Sequence, residues 1–179
     1  MNEYGELLDK NTVRFERLLP GPIERVWRYL TESDKRRQWL CAGDVESVVG
    51  GNVDMHFHNK SLSGEGDIPR PEKYCDRPEK VSFTGTVTRC EPHRLLEHTW
   101  VLGDEHSEVR YELESQGDNV RLVLTHRRLE TPDLVRSVSG GWHTHLNLLE
   151  DVLQGREPRP FYRMQAAYDA EYGQRLGMV

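Results

Sequence analysis

The chain has 179 residues and a formal net charge of -6, with 30% charged residues and a mean hydropathy of -0.75, which favours one soluble domain with a sizeable core. The negative balance disfavours nucleic acid and anionic membrane surfaces as partners, because both are bound by basic faces. Since no apolar run approaches the ~20 residues of a membrane span and no signal-peptide pattern opens the chain, the sequence predicts a cytoplasmic protein.

The first part of the chain predicts a strand followed by two short helices. Residues 12–18 alternate between apolar and polar side chains, which is typical of a strand. From Ile23 to Leu30, apolar residues recur at i, i+3, i+4 and i+7, which indicates an amphipathic helix. A second helix is predicted near residue 33, and we interpret its basic cluster at residues 35–37 as a solvated face.

Six further strands are predicted from alternation in the middle of the chain, with one long loop at residues 60–80. Their ranges are 44–49, 51–59, 81–91, 94–101, 107–114 and 119–127. The turns at Gly50-Gly51 and Gly103-Asp104 are too short for crossover connections, so we expect the strands that they join to be antiparallel neighbours.

The most informative segment is residues 139–155, which predicts a long C-terminal helix. One stripe at helical spacing follows the glycine pair at 140–141 and consists of Trp142, His145, Leu146, Leu149, Val152 and Leu153. Gly155 stands where a capping glycine is expected to end the helix. A helix of this kind facing one long antiparallel sheet predicts an α+β fold with a cavity between helix and sheet.

Domain boundaries follow from these elements. Residues 1–11 are predicted to be an N-terminal tail, residues 12–155 the domain, and residues 156–179 a C-terminal extension with a short amphipathic helix. We expect this helix to pack on the domain, while a dimer contact remains the alternative, so both a monomer and a homodimer stay open.

Five stretches together resemble a known family. They are residues 22–31 (PIERVWRYLT), Trp39-Leu40, Gly50-Gly51, residues 95–100 (LLEHTW), and residues 120–126 followed by Gly141-Trp142. Over residues 10–155 the chain resembles the START-like or SRPBCC helix-grip superfamily, and within it the family named for the C-terminal domain of the activator of heat-shock protein 90 ATPase. The resemblance implies a curved antiparallel sheet of about six to seven strands around a long C-terminal helix, with two short helices between strands 1 and 2.

What the resemblance implies about function is broader. Its members include lipid and hydrophobic-metabolite binders, aromatase/cyclase enzymes and co-chaperone domains, so the fold alone leaves function open. The co-chaperone carries an N-terminal Asn/Trp/His-rich motif, which residues 1–11 do not show.

Strand and helix periodicity point one set of side chains toward a common interior. This predicted ligand-binding set consists of Phe57, Phe83, His98, Trp100, Tyr111, His126, Trp142, His145 and Leu149. Apolar walls give affinity for a small organic ligand, and a few polar groups fix its orientation. Imidazoles there could act as acid or base near neutral pH. The alternative for each histidine is a core residue hydrogen-bonded to the backbone.

No cofactor or metal is predicted. His56 and His58 share one strand face without a third ligand, so we interpret them as solvent-facing, and three widely spaced cysteines suggest reduced thiols. Our first hypothesis is binding of a hydrophobic or aromatic small molecule, lipid or polyketide-like. A co-chaperone or stress-related module that binds a chaperone or another protein is one alternative. A cyclase- or hydrolase-type enzyme using cavity histidines is the other, and missing nucleophile and metal motifs weaken it.

Overall fold

The computed structural model describes residues 3–62, 66–102 and 104–176; Gly103 of one predicted turn, residues 63–65 of the predicted loop and both chain ends lie outside them. The strands are β1 (Glu6–Asp9), β2 (Thr12–Pro20), β3 (Asn52–Phe57), β4 (Val81–Glu91), β5 (Leu95–Leu102), β6 (Glu105–Gln116) and β7 (Asn119–Arg127). The helices are α1 (Ile23–Thr31), α2 (Ser33–Arg36), α3 (Pro132–Leu153) and α4 (Phe161–Arg175). Two short 3-10 turns, Asn59–Leu62 and Glu72–Tyr74, lie in the loop before β4.

The seven strands form one sheet in the order β1-β2-β7-β6-β5-β4-β3. Every neighbouring pair is antiparallel, and two short helices stand between β2 and β3. Alternate residues of the central strands are buried toward α3, as in the β7 run from Val120 to His126. The α+β helix-grip architecture predicted from the sequence is therefore confirmed.

The composition of the sheet differs from the prediction in two strands. Residues 6–9, which were assigned to the tail, form edge strand β1 against β2. The predicted strand at residues 44–49 does not form, and only the isolated bridges Ala42–His56 and Val45–Val53 join this region to β3. The strand count is close to the prediction because one strand was missed and another was overpredicted.

A buried arginine explains why residues 44–49 do not pair regularly with β3. The side chain of Arg36 is 2% exposed, and its Nη1 donates to the carbonyl oxygens of Gly43 and Asp54. The guanidinium therefore takes the place of backbone N–H donors at these two carbonyl groups. The hydrogen-bond ladder between this segment and β3 is interrupted there. The interpretation of residues 35–37 as a solvated face was wrong for Arg36.

Helix α3 begins ten residues before the predicted apolar stripe. Thr131 caps it by accepting a hydrogen bond from the Leu134 N–H at 3.2 Å, and Pro132 occupies the first turn, where its missing N–H costs nothing. At its other end Gly155 adopts a φ of 67°, a left-handed conformation that suits glycine after a helix. The predicted stripe faces inward, since Trp142, His145, Leu146, Leu149 and Leu153 are all buried, and Val152 at its edge is half-buried.

Helix α4 packs mainly on the other side of α3, through His143 and Asn147, and its first residue, Phe161, also reaches His145 of the stripe, with ring centroids 5.2 Å apart. Phe161 and Tyr172 are buried at its two ends, and Asp67 accepts hydrogen bonds from the N–H groups of Tyr162 and Arg163 at 2.8 and 3.0 Å. The predicted C-terminal helix therefore packs on the domain. None of the helices in the described part of the chain combines the length and apolar character that a bilayer crossing demands.

Candidate functional site

A cleft lies between the concave face of the sheet and helix α3. It has a volume of about 120 Å³, and we call it the inner cleft. Its lining consists of Leu40, Phe57, Trp100, His126, Val138, Gly141, Trp142 and His145. Phe57, Trp100 and Val138 are only half-buried, so the cleft opens to solvent.

The indole of Trp100 on β5 organises the aromatic walls of the cleft. Its ring centroid lies 5.6 Å from that of Trp142 on α3 and 5.6 Å from that of Phe57 on β3. Phe83 on β4 adds a ring 5.3 Å from Trp100 and stacks on Phe57 at 5.8 Å. Antiparallel pairing of β3, β4 and β5 brings these rings together, because their positions alternate onto the same face of the sheet.

His126 stands in a chain of hydrogen bonds that fixes its tautomer. The Nε1–H of Trp142 can only donate, and it donates to Nδ1 of His126 at 2.9 Å. Nε2–H of His126 therefore donates to the Ser107 hydroxyl at 2.8 Å, which donates in turn to the Trp100 carbonyl at 3.2 Å. Burial lowers the pKa of His126 to about 3, so the imidazole is neutral and both its nitrogens are occupied.

His98 and His145 each donate one hydrogen bond to the backbone. Nδ1–H of His98 donates to the Thr99 carbonyl at 2.9 Å, and Nδ1–H of His145 donates to the Trp39 carbonyl at 2.7 Å. Burial lowers the pKa of each imidazole to about 4. In both rings Nε2 is consequently a hydrogen-bond acceptor at neutral pH, and His145 is the one that lines the inner cleft.

A second, wider pocket adjoins the inner cleft and shares Phe57 and Trp100 with it. It has a volume of about 210 Å³, and we call it the outer pocket. Its remaining walls come from β4, β5, the loop before β4 and helices α3 and α4, including Phe83, Arg70, Tyr74, Arg77, Glu79 and Tyr162. The two spaces therefore share an aromatic floor, and the outer one has a charged rim.

The structure brings the nine predicted residues into one region, in four positions. Phe57, Trp100, His126, Trp142 and His145 line the inner cleft, and Phe83 lines the outer pocket. His98 and Tyr111 lie one layer behind, with ring centroids 6.4 Å from Trp100 and 6.1 Å from Trp142 respectively. Leu149 is completely buried in the core. Ligand contact by these residues remains a prediction.

Several lining residues were not found from the sequence. Val138 and Gly141 continue the stripe of Trp142 and His145 backward at helical spacing, so a helix extended through the glycine pair would have revealed them. Leu40 follows the second short helix, and the aromatic and charged residues of the rim belong to a loop whose position no local pattern indicates.

The two histidines at positions 56 and 58, at the end of β3, lie near other side chains. Nδ1 of His56 lies 3.0 Å from the Ser82 hydroxyl, and Nε2 of His58 lies 3.7 Å from a Glu79 carboxylate oxygen. Across residues 3–62, 66–102 and 104–176, no group of three or more His, Cys, Asp or Glu side chains is arranged to hold a metal ion.

Comparison with known proteins agrees with this architecture. The family model for Activator of Hsp90 ATPase homolog 1-like protein matches residues 20–154, well over half of the chain. A protein from Bordetella parapertussis, solved by NMR in solution, is 42% identical with a TM-score of 0.79, covering 96% of this chain and 90% of that one. Among curated proteins, no significant match is found.

Two more distant structures share the fold. CalU16 from Micromonospora echinospora is 22% identical with a TM-score of 0.66, covering 92% of this chain and 88% of its own. A conserved protein of unknown function from Enterococcus faecalis is 20% identical with a TM-score of 0.69, covering 98% and 91%.

Proposed function

The chain belongs to the family of Activator of Hsp90 ATPase homolog 1-like proteins, and from that premise and the geometry of the inner cleft we propose that it binds a small hydrophobic molecule with an aromatic ring. The observation that carries the proposal is the lining of the inner cleft. Aromatic and aliphatic walls surround the space, and His145 offers one hydrogen-bond acceptor. Apolar walls with few polar groups are the usual composition of small-molecule sites.

The size of the inner cleft limits what it holds. Its volume of about 120 Å³ is close to the roughly 150 Å³ of an apolar cavity that accommodates benzene. One ring therefore fits, whereas a fused polyketide or an acyl chain would have to extend into the outer pocket. A ring that bears a hydroxyl group suits the site best, because the hydroxyl can donate to Nε2 of His145.

The electrostatics of the histidines favour binding over acid–base catalysis. With a pKa of about 3 or 4, these imidazoles are neutral at pH 7 and are poor general bases there. His126 is further committed to Trp142 and Ser107 through both ring nitrogens. The co-chaperone alternative rests on family membership and has no support from the geometry of the site.

Titration with 4-ethylphenol tests the proposal, because this probe has one ring, a short apolar tail and a hydroxyl donor. We expect it to quench the fluorescence of Trp100 and Trp142 and to raise the melting temperature. At a hundred times Kd, binding to the native state alone adds about 2.7 kcal/mol of stability. Gly141→Leu fills the inner cleft and should abolish both responses, since a Cβ at Gly141 meets no atom within 4 Å.

The matched control is Val152→Leu, which adds bulk to the same helix about three turns away at a residue that does not line either space. It should bind 4-ethylphenol like the wild type. Absence of both responses in the wild-type protein, or equal binding by Gly141→Leu, would overturn the proposal.

A further inference from the structure

The outer pocket places two arginines beside the aromatic floor of the inner cleft. Arg70 and Arg77 come from the loop before β4, and they line the same pocket as Phe57 and Trp100. A molecule whose ring occupies the inner cleft would therefore extend one end past Phe57 and Trp100 toward the guanidinium groups. The chemistry at this end of the site differs from that at the His145 end.

Neither arginine is neutralised within the described part of the chain. Nη2 of Arg70 donates to the Pro78 carbonyl at 3.3 Å, and the guanidinium of Arg77 lies 5.7 Å from the Tyr74 ring centroid. Both contacts leave the positive charge without a carboxylate partner, and both leave further N–H donors on each guanidinium.

The one carboxylate of the pocket lining lies near a lysine and a histidine outside that lining. An Oε1 of Glu79 lies 3.7 Å from Nζ of Lys60 and 3.7 Å from Nε2 of His58. The lining thus carries two guanidinium groups against one shared carboxylate, on a protein whose net charge is -6. A local positive charge on an acidic protein concentrates anions at that place.

Other groups at the rim are suited to the same task. Ser137 on α3 and Gln165 on α4 line the outer pocket, and a hydroxyl and an amide can each donate to an anion. Arg70 is half-buried, so its charge is less screened than that of a fully solvated side chain. A planar guanidinium also matches the two oxygens of a carboxylate.

We propose that the ligand of this site is an aromatic carboxylate, held with its ring in the inner cleft and its carboxylate at Arg70 and Arg77 in the outer pocket. This inference rests on the proposed function and names the ligand class. A spacer between ring and carboxylate is required, because the carboxylate must pass the shared residues Phe57 and Trp100. No covalent step is involved, since the arginines supply only charge and hydrogen bonds.

The experiment compares trans-cinnamate with trans-cinnamamide, which has the same shape without the charge. Titration followed by tryptophan fluorescence at low salt should give about tenfold tighter binding of cinnamate, as expected for a charge-assisted hydrogen bond. The double variant R70Q/R77Q should bind both compounds equally, and it should bind 4-ethylphenol with the wild-type affinity, because that probe is held in the inner cleft. Added salt should reduce the preference of the wild-type protein.

The control variant is Arg94→Gln, which changes net charge at an exposed arginine in the turn before β5, outside the lining of both spaces. It should keep the tenfold preference, and unchanged binding of 4-ethylphenol shows that R70Q/R77Q is folded. Equal binding of cinnamate and cinnamamide by the wild type, or a preference that survives in R70Q/R77Q, overturns the inference. The proposed function survives either result as long as 4-ethylphenol binds and Gly141→Leu prevents it.

Discussion

Helix α3 has two sides of contrasting construction. The side toward the sheet borders the inner cleft, where Trp142 and His145 meet space as well as neighbours. The side toward α4 is tightly packed, with the His143 imidazole stacked on the Tyr168 ring at 3.7 Å. Asn147 donates to the Tyr168 hydroxyl at 2.9 Å on the same side. The contrast teaches that one face of the helix anchors it while the opposite face leaves room for a ligand.

Two histidines separated by one residue illustrate this division. Because residues two apart on a helix point roughly 200° away from each other, His145 faces the cleft and His143 faces α4. The Tyr172 hydroxyl accepts a hydrogen bond from the Gly5 N–H at 2.6 Å and is hydrogen-bonded to Nδ1 of His143 at 3.1 Å. His143 thereby links α3 to α4 and to the N-terminal segment, with its Nε2 buried and unpaired among the described residues, whereas His145 lines the inner cleft.

The largest effect that can break this contrast is acidification. Burial, with neighbouring arginines, lowers the pKa of His143 to about 3, and burial lowers that of His145 to about 4. In the unfolded chain these imidazoles take up a proton near pH 6.5, whereas in the native protein they stay neutral to a much lower pH. Their contribution to the free energy of unfolding is therefore complete above pH 6.5 and is lost as the pH falls below it. Each imidazole should remove about 1.4 kcal/mol per pH unit between 6.5 and 4.

Urea denaturation at several pH values checks this expectation. His143→Gln and His145→Gln should each flatten the dependence of unfolding free energy on pH by about one proton. Val152→Ala is the control, because it lowers stability without removing a titratable group and should keep the wild-type slope. Unchanged slopes in both histidine variants would contradict the assignment of neutral buried imidazoles.

The next largest effect concerns the anchored side alone. Asp151 is 1% exposed and accepts hydrogen bonds from Arg156 and from both the side chain and the N–H of Arg159. Burial by itself would raise the pKa of Asp151, but these hydrogen bonds outweigh it and hold the pKa below the ordinary value. The carboxylate thus ties the end of α3 to the segment that leads into α4.

Asp151→Ala should lower the free energy of unfolding by about 2 kcal/mol, because it removes the charge-assisted hydrogen bonds that a buried carboxylate accepts from Arg156 and Arg159. The loss stays below that of a fully buried pair, since the two arginine side chains are 52% and 40% exposed and can be solvated instead. Urea denaturation at pH 7 measures this loss. Glu171→Ala on α4 is the matched control, since its exposed pair with Arg175 should contribute less than about 1 kcal/mol. A loss for Asp151→Ala no larger than that of the control would show that the anchored side is not held by this carboxylate.

The fold was predictable where local patterns decide it. Strands β4 to β7 follow alternation that their antiparallel neighbours reinforce. Strand β1 was missed because its four residues are all exposed and carry no apolar alternation. Residues 44–49 were overpredicted because the competing partner of their backbone, Arg36, comes from a different element. The sequence suggested that the helix begins after the glycine pair at 140–141. The reason for a glycine inside the helix, the close approach of α4 to Gly140, is a tertiary contact that the sequence does not reveal.

The candidate site divides in the same way. Side-chain parity on strands and helix was sufficient to assemble the aromatic walls of the inner cleft, since period and facing are local properties. Arg70 and Arg77 could not be predicted as site residues, because tertiary contacts position their loop. Asp67 of this loop accepts hydrogen bonds from the first turn of α4, and Lys73 forms an ion pair with Asp169 of α4. Sequence periodicity therefore predicts the floor of a site better than its rim.

The smallest effect compares two adjacent glycines on the two sides of α3. A Cβ at Gly141 meets no atom within 4 Å, whereas a Cβ at Gly140 lies 3.2 Å from the backbone nitrogen and 3.3 Å from the Cα of Asp169 on α4. Gly141→Ala should stabilise the protein by about 0.5–1 kcal/mol, because alanine restricts the unfolded chain and favours the helix. In Gly140→Ala the same gain is opposed by contact with a backbone that is itself helical.

We therefore expect the melting temperature to rise for Gly141→Ala and to stay unchanged or fall for Gly140→Ala. Only Gly141→Ala should also weaken binding of 4-ethylphenol, because its methyl group enters the inner cleft. Equal stabilisation by both substitutions would mean that α4 shifts easily to accommodate the added methyl group at position 140. The side of α3 toward α4 would then not be more tightly packed than the side toward the inner cleft. Since the two positions share one helix and one chemical change, any difference between them reports the surroundings of each Cβ alone.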